Sequence, residues 1–563
     1  MDNLRFVLIM AFVMISYMLW EAWQFDYGPK PQLPVSDTPV VTSGGADAPA
    51  AGGELGTPQK ETAPLASDGS GRIIRVKTDV YALEIDTQGG TLSNLDLLQY
   101  PKEKPNTVVN KLYKMVGLEP DAVDTSPVRL FDSSEDKLFL AQSGLVGANG
   151  SSAPDHHAVY AAKQDSYELA EGADTLTVPL TWSDDQGITI TKTYTFKRGS
   201  YDVHLEHKIS NNSGSVWSGR QYNQLLRKPF SERNSNNFIR TYAGGVVYTN
   251  EEKYQKVDFE DMAEENLNVK TVGGWTAMIQ HYFASAWIPP QDQENHFYTK
   301  ELKDWRYVIG SYSPAREIAP NAESVFKAQL FVGPKIQPQM EAVAKGLELT
   351  VDYSWLTIIA KPIYWLLNQI HGYIGNWGLA IMGVTLVIKL LFYRLSKSSY
   401  TSMAKMRKIQ PKLKELQDKF KDDRQKFNTE MMAMYKREKV NPLGGCLPIL
   451  VQIPVFISLY WVLIETVELR QAEFYLWIQD LSAQDPFYLL PILYGVTMKI
   501  QQSLNPAPVD PLQAKVMKMF PIIFTVFFLF FPSGLVLYWV WNNSLSILQQ
   551  WHITRQIEAG DKK

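Results

Sequence analysis

The chain has 563 residues, a net formal charge of −4 and a single cysteine, Cys446. This length exceeds the roughly 100–200 residues of a typical domain, so more than one domain is expected. The small net charge argues against nucleic acid as a partner of the whole chain, and one cysteine excludes both an internal disulfide framework and the common cysteine-based zinc sites.

The first segment of the chain is apolar from Leu4 to Trp20, with Arg5 near its start. Because no small-x-small cleavage site follows, residues 1–27 are predicted to form an uncleaved signal-anchor span, with a cleaved leader as the alternative. Residues 28–71 are rich in Pro, Ala, Gly, Ser and Thr and have almost no large apolar side chains. Such a composition cannot bury a core, so this segment is predicted to be a flexible tether.

Residues 72–346 contain short alternating stretches, such as TLTVPLTW and ITITKTYTFK, between turn sequences such as DDQG and NNSG. The alternation predicts a large β-rich domain, a sandwich of two sheets. Helical pieces are expected at its end, for example from Trp275 to Trp287. His204 and His207 are three residues apart in a predicted strand, so they should point to opposite faces and make poor joint metal ligands.

Residues 351–375 form an apolar segment in which polar residues recur every three or four positions. The polar residues are Ser354, Thr357, Lys361, Tyr364, Asn368 and His371. This spacing predicts an amphipathic helix that lies on a membrane surface, with its tryptophans at the headgroup boundary. The alternative is a true span whose polar stripe faces protein or water.

Five apolar runs follow, most of them near the length that crosses about 30 Å of hydrocarbon. They are residues 376–395, 447–466, 487–501, 516–531 and 535–549. With the anchor they give about six spans, numbered 1 to 6 in chain order. The sequence therefore predicts a polytopic α-helical membrane protein with a large β-sandwich domain.

The connections between these runs predict an orientation. Residues 396–445 are rich in Lys and Arg, whereas the connection after span 3 carries a net negative set that includes Glu468, Asp480 and Asp485. By the positive-inside rule the first connection is cytoplasmic and the second lies outside. An even number of spans then places both chain termini in the cytoplasm, residues 550–563 as a short cytoplasmic tail, and the β-domain outside.

The basic connection 396–445 is itself predicted to form a cytoplasmic helical hairpin around a KDD turn, because apolar residues fall at helical spacing on both sides of it. They are Met403, Met406, Ile409, Leu413, Leu416 and Phe420 before the turn and Phe427, Met431 and Met434 after it. These two stripes can pack against each other. Alternatively, their methionines can form an adaptable surface for varied partners, and the two interpretations are compatible.

One ionisable residue, Lys389, lies inside a predicted span. It precedes the boundary residue Arg394 by five positions, about 7.5 Å along a straight helix. A charge within a span costs roughly 2.5–3.5 kcal/mol and normally faces protein or water, although a lysine stem can also extend to the boundary. Both interpretations stay open. Thr385, one turn away, and Gln452, in the next span, are candidates to line a wet cavity with Lys389.

Motifs for catalysis are missing from the sequence. There is no phosphate-binding glycine loop, HExxH or GxSxG pattern, so no catalytic residue, metal site or cofactor is expected.

Several segments resemble the YidC family of membrane protein insertases. They are GGWTAMIQHYFASAWIP (residues 273–289), YTSMAKMR (400–407), KVNPLGGCLPILVQIPVF (439–456), VELRQAEF (467–474), WIQDLSAQDPFY (477–488) and FPSGLVLYW (531–539). The resemblance covers nearly the whole chain except the tether.

This resemblance implies a bacterial inner-membrane insertase and chaperone that is not an enzyme, with a five-helix core around a hydrophilic groove. A positive charge in that groove attracts the acidic flank of a substrate, and here it falls at Lys389, with Thr385 and Gln452 beside it. The substrate's apolar segment slides along residues that correspond here to Ile453, Pro454, Phe456, Phe527, Phe528, Tyr538 and Trp539. The commoner residue at the groove position is arginine, which stays ionised where a poorly hydrated lysine can lose its charge.

The resemblance also implies partners. These are nascent membrane proteins, the lipid bilayer, the Sec translocon with its accessory subunits and, more weakly, the ribosome or the signal-recognition-particle receptor. The β-domain resembles the family's periplasmic sandwich, whose architecture is shared with mutarotase-type enzymes, but fold alone does not carry activity. Two rival interpretations are a transporter or channel and a membrane-anchored carbohydrate enzyme. The first would require paired intramembrane charges or inverted repeats. The second would require an acid–base pair.

Overall fold

The computed structural model describes residues 49, 71–120, 122–229, 241–420, 423–438, 440, 447–505 and 511–560. The predicted anchor (residues 1–27) and nearly all of the predicted tether (residues 28–71) lie outside these residues. Two compact units divide the described chain. The β-rich unit draws on Pro31–Lys104 and Ala122–Asp352, and the helical unit draws on Pro105–Asp121 and Tyr353–Lys563.

The β-rich unit is built mainly from strands. In chain order they are β1 (Ile73–Lys77), β2 (Tyr81–Asp86), β3 (Thr91–Pro101), β4 (Pro127–Phe131), β5 (Phe139–Gly147), β6 (Ala161–Ala162), β7 (Ser166–Glu168), β8 (Thr175–Ser183), β9 (Ile188–Lys197), β10 (Asp202–Asn211), β11 (Trp217–Arg227), β12 (Gly244–Thr249), β13 (Lys253–Val257), β14 (Asn268–Val272), β15 (Trp275–Ile279), β16 (Phe283–Ile288), β17 (Glu294–Leu302), β18 (Arg306–Tyr312), β19 (Arg316–Ile318) and β20 (Ala322–Pro334).

The helices, also in chain order, are α1 (Thr107–Met115), α2 (Phe259–Glu264), α3 (Gln337–Val343), α4 (Thr357–Ile374), α5 (Trp377–Leu391), α6 (Tyr393–Lys419), α7 (Arg424–Arg437), α8 (Leu447–Glu465), α9 (Leu489–Leu504), α10 (Pro511–Phe528) and α11 (Ser533–Gly560). Of these, α2 and α3 belong to the β-rich unit and the others to the helical unit.

Two sheets make up the β-rich unit. One runs β14-β17-β18-β11-β5-β3-β2-β1-β7, with β19 beside β11 and β4 beside β3, and the other runs β13-β12-β15-β16-β20-β10-β9-β8-β6. Apolar side chains from both sheets meet in one cluster, which includes Leu145 and Trp217 from the first and Ile190, Ile209 and Phe326 from the second. This sandwich-like arrangement confirms the predicted β-rich domain.

The alternating pattern that predicted the strands arises because successive side chains of a strand point to opposite faces. In β10, His207 is fully buried and its Nδ1 lies 3.0 Å from Nε2 of Gln221, whereas His204 on the other face is partly exposed. The prediction that these two histidines point to opposite faces of a strand is therefore confirmed.

The predicted helix from Trp275 to Trp287 is wrong. This segment forms the antiparallel pair β15 and β16, in which Thr276 lies opposite Trp287, and every residue of both strands is buried. Strands buried on both faces show no polar–apolar alternation, so periodicity alone cannot separate them from a buried helix. The turn signal is Gly273-Gly274, since both glycines adopt positive φ values of 74° and 82°.

In the helical unit, α11 is the central element. It packs against α5, α6, α8 and α9, while α4 packs against α5 and α8, and α10 packs against α9. Ala360, Ile363 and Leu367 of α4 are buried, as is Tyr364, whose hydroxyl donates a hydrogen bond to Glu468 Oε1 at 2.7 Å. Tyr364 belongs to the predicted polar stripe, so part of that stripe faces protein. Whether α4 lies on a membrane stays a prediction.

No single helix in the described part of the chain is by itself long and apolar enough to cross a membrane. One pair, α5 and α6, meets the length and composition requirement jointly across a bend of 69°.

The predicted hairpin consists of α6 and α7, which pack through Ile409, Leu413, Met434 and Tyr435, with Val440 joining the cluster from just beyond α7. Met406 and Met431 lie against this cluster, and Met403 is half-buried. Several of the predicted methionines therefore contribute to the hairpin's own core. Recruitment of partners by this surface stays a prediction.

The hairpin core gives a matched pair of substitutions. Met434 is 4% exposed and Met432 is 49% exposed. Met434→Ala should weaken protection of the α6 and α7 amides against hydrogen exchange by roughly 2 kcal/mol, because it leaves a cavity, whereas Met432→Ala should have little effect. Equal protection in the two variants would contradict this packing.

A second prediction concerns acid stability of the β-rich unit. Burial lowers the pKa of His296 to about 4, with Lys270 and Arg220 acting in the same direction. Below the ordinary value of about 6.5, the unfolded chain therefore binds a proton that the folded chain does not, so the free energy of unfolding falls between pH 6.5 and about 4.

The substitution His296→Gln should remove roughly 1–2 kcal/mol of that fall, allowing for screening of the partly exposed ring. Thermal unfolding at several pH values measures it, with His204→Gln as the control. An unchanged pH dependence in His296→Gln would count against the assignment.

Candidate functional site

Three helices converge at Lys389, which lies in the last turn of α5. The Lys389 ammonium donates a hydrogen bond to Ser546 Oγ of α11 at 2.7 Å, and Ser546 Oγ donates to the Asn542 carbonyl at 2.8 Å. The Tyr400 phenol of α6 interacts with the same serine side chain. One serine hydroxyl has one proton to donate and two lone pairs to accept, so Ser546 can accept from Lys389 while it donates to the Asn542 carbonyl.

The other two predicted lining residues have different environments. Thr385 is 2% exposed, and its hydroxyl donates to the Ile381 carbonyl of its own helix at 2.7 Å. Gln452 is half-buried on α8. Within the described part of the chain, neither side chain hydrogen-bonds with Lys389 or Ser546, and Lys389 is connected to α11 instead.

The geometry around Lys389 also corrects the depth estimated from the sequence. The predicted span 376–395 assumed one straight helix, but α5 ends at Leu391 and α6 starts at Tyr393 after the 69° bend. Arg394 therefore lies on a different helix axis from Lys389. The distance of about 7.5 Å between Lys389 and Arg394 assumed one straight helix, so it does not apply across this bend.

A second hydrogen bond fixes α11 against α5. Trp541 Nε1 donates to the Met382 carbonyl at 3.1 Å. Trp541 and Ser546 are five residues apart on α11, and both bind residues of α5. The two contacts therefore hold α11 against α5 at two positions along the helix. This contact orients the helix that carries the partner of Lys389.

The aromatic residues of the predicted slide form a cluster across α8, α10 and α11, which consists of Phe456, Phe527, Phe528, Tyr538 and Trp539. The ring of Phe456 lies 4.2 Å from Trp539 and 5.6 Å from Tyr538, measured between centroids, and Phe528 lies 5.7 Å from Trp539. Tyr494 of α9 completes it at 4.7 Å from Phe528. Ile453 is exposed and Pro454 is half-buried on α8.

Within this cluster the neighbours Phe527 and Phe528 have different roles. Phe528 is 4% exposed, whereas Phe527 is 41% exposed. Phe528 is therefore part of the core between the helices, and Phe527 is partly exposed at their surface. The sequence prediction did not separate the two.

The connection between α8 and α9 packs against the start of α11. The amide of Ser533 donates to the Ala483 carbonyl at 2.7 Å, and the amide of Gly534 donates to the Leu481 carbonyl at 2.8 Å. A Cβ on Gly534 would lie 3.0 Å from the Leu481 oxygen, which is closer than normal packing allows. The FPSG sequence thus lets the connection lie directly on the helix.

Sequence reasoning missed Ser546, Tyr400, Tyr494 and Trp541. A signal for Ser546 was present, since the sequence NNSLS places several polar residues inside the predicted span 535–549. Which of them meets Lys389 depends on the rotation of α11 and on the bend after α5. Neither can be derived from the spacing of residues.

The two phenylalanines provide a test of this geometry. Phe528→Ala should lower the free energy of unfolding by roughly 3–5 kcal/mol, because it removes a buried ring between α9, α10 and α11. Phe527→Ala should cost much less. Thermal unfolding of the purified protein in detergent compares the two, and equal losses would show that the two rings are packed alike.

Comparison with known proteins agrees with these observations. The chain matches the family models described as YidC periplasmic domain, over residues 118–366, and 60Kd inner membrane protein, over residues 369–561. The membrane protein insertase YidC of Methylococcus capsulatus is 55% identical to it over 99% of both chains. That of Nitrosococcus oceani is 48% identical, also over 99% of both chains.

A solved structure described as an active YidC insertase crystal structure with the first transmembrane domain resolved is also similar. It is 16% identical, the match covers 85% of this chain and 94% of that one, and the TM-score is 0.36. That score is too low to support an argument, so the assignment depends on the sequence relatives and the two family models. The chain therefore belongs to the YidC family of inner-membrane protein insertases.

Proposed function

We propose that the chain inserts membrane proteins into the bacterial inner membrane through a hydrophilic groove that contains Lys389. The observation that carries this proposal is the contact between Lys389 and Ser546. The hydrogen-bond partner of Lys389, Ser546, is uncharged, so it does not neutralise the positive charge of Lys389. Such a charge can attract the acidic flank of a substrate.

The arrangement of α11 supports a shared path for the two parts of a substrate. Trp539 and Ser546 are seven residues apart, about 10.5 Å along the helix, and lie on one face of it. The aromatic cluster and the Lys389 network therefore follow each other along the same face. An apolar segment would lie against Ile453, Phe456, Phe527 and Trp539 while its polar flank reaches Lys389.

Insertion of this kind requires no nucleotide. A substrate span gains roughly 25 cal/mol for each Å² of apolar surface that leaves water. The barrier is the passage of the short polar flank through hydrocarbon, where unpaired polar groups are costly. A hydrated groove lowers that barrier by shortening the apolar distance.

We place the chain in the membrane with about six spans: residues 1–27, 376–395, 447–466, 487–501, 516–531 and 535–549. The charge of the connections supports this orientation, with α6 and α7 and both termini in the cytoplasm, and with the connection 466–488 and the β-rich unit in the periplasm. The bend between α5 and α6 would then lie at the cytoplasmic end of span 2.

Partners follow from this topology. We assign the periplasmic β-rich unit a docking or structural role toward the Sec translocon and its accessory subunits. The α6–α7 hairpin, with its lysines, arginines and methionines, is the proposed cytoplasmic receiver of nascent chains, and the ribosome or the signal-recognition-particle receptor would contact it more weakly.

The charge is tested by substitution at Lys389. Lys389→Ala should reduce insertion of a substrate with an acidic flank roughly tenfold, the equivalent of about 1.4 kcal/mol. Lys389→Arg should retain insertion, because arginine keeps the charge. Protease protection of the translocated flank, in proteoliposomes that contain the purified protein, measures the inserted fraction.

Two controls separate charge from packing. Lys499→Ala removes a lysine that is exposed on α9 and should leave insertion unchanged. A substrate whose flank has been neutralised should be affected much less by Lys389→Ala than the acidic substrate. If Lys389→Ala inserts the acidic and the neutralised substrate as well as the parent protein does, the proposed role of the Lys389 charge is wrong.

A further inference from the structure

Helix α1 is an insertion between strands β3 and β4, yet it belongs to the helical unit. Asn106 starts the helix, since its Oδ1 accepts hydrogen bonds from the amides of Val108 and Val109, both at 3.1 Å. The segment between α1 and β4 continues through Leu118.

Two residues hold α1 to the connection between α8 and α9. Asn106 Nδ2 donates to the Trp477 carbonyl at 3.0 Å. Gln479 accepts a hydrogen bond from the Thr107 amide and donates one to the Thr107 hydroxyl, both at 2.8 Å. The start of α1 is therefore fixed to the connection whose ends are the helices α8 and α9.

Hydrogen bonds to the Asp485 carboxylate stabilise that connection. Asp485 Oδ1 accepts from the Trp477 indole nitrogen at 3.0 Å, and Asp485 Oδ2 accepts from the Leu490 amide at the start of α9 at 2.7 Å. Asp485 is 2% exposed. Consequently, α1 is attached to a hydrogen-bonded connection between two apolar helices.

The faces of α1 differ sharply in chemistry. Val108, Val109, Leu112, Tyr113 and Met115 fall on one side of the helix at helical spacing, and Val116 and Leu118 continue it. Thr107, Asn110, Lys111 and Lys114 fall on the other side. No residue of α1 is buried, and Met115 and Val116 are 83% and 63% exposed.

We propose that α1 lies in the periplasmic surface of the bilayer, with its apolar face at the boundary between headgroups and acyl chains and its lysines toward anionic headgroups. The position of α1 favours lipid as the contact of its apolar face, because α1 is attached to the connection at which α8 ends and α9 begins. Its charge agrees, because Lys111 and Lys114 are the only ionisable groups of Thr107–Met115 apart from the Tyr113 phenol. A short basic amphipathic helix is typical of this environment.

This inference rests on the proposed topology, which puts the connection 466–488 on the periplasmic side. It adds to the helical unit a membrane contact outside the predicted spans.

Spin labels on the two faces of α1 test the proposal in the full chain. Cys446→Ser provides a background without native thiols, and Met115→Cys and Lys114→Cys carry the label on the apolar and polar faces. The protein is reconstituted into vesicles of phosphatidylethanolamine and phosphatidylglycerol. Collision with oxygen, which concentrates in lipid, is compared with collision with a water-soluble nickel chelate.

The label at residue 115 should collide several-fold more with oxygen than with the chelate, relative to the label at residue 114. If the chelate reaches both labels equally, α1 lies in water and the proposal is wrong. If the label at residue 115 is shielded from both reagents, protein covers this face and the lipid proposal is also wrong.

Failure of the topology gives a different result. A membrane-impermeant maleimide added to intact spheroplasts should label Lys114→Cys; labelling only after lysis would overturn the topology and, with it, the periplasmic position of α1. Insertion by Lys389→Ala and Lys389→Arg is scored separately, so the groove charge can stand while the lipid contact of α1 fails.

Discussion

A polar group among apolar helices must find a hydrogen-bond partner, and α11 binds neighbouring elements at several positions between Gly534 and Gln550. At its start Gly534 binds the α8–α9 connection, in its middle Trp541 binds α5, and Ser546 binds Lys389. Farther on, Gln550 Nε2 donates to Asn505 Oδ1 at 3.0 Å. The position of α11 therefore fixes the relative positions of the helices around it.

This role explains why the charge and the aromatic cluster occur together. Ser546 determines where the Lys389 ammonium points, and Trp539, two turns earlier, packs on Phe456 and Phe528. A rotation of α11 would move both at once. A change at the Ser546 end of the helix is thus expected to affect the apolar path as well as the charge.

Parts of the fold were predictable where one face of an element meets water. The alternation in β9 and β10 revealed the β-sandwich and separated His204 from His207. The same reasoning failed from Trp275 to Trp287, since strands buried on both faces have no alternation. It also missed the break after Leu391, because the apolar composition continues across the bend and only packing shows where the helix axis changes.

The sequence by itself determined the family, the apolar segments, the basic hairpin and the presence of a lysine within an apolar run, because each is a local property of composition and spacing. Only the tertiary structure decided that Lys389 meets Ser546, 157 residues away, and that Phe528 is buried while Phe527 is exposed. The physical reason is that helix rotation and bending are set by contacts between distant segments. Those contacts are not encoded in the periodicity of any single helix.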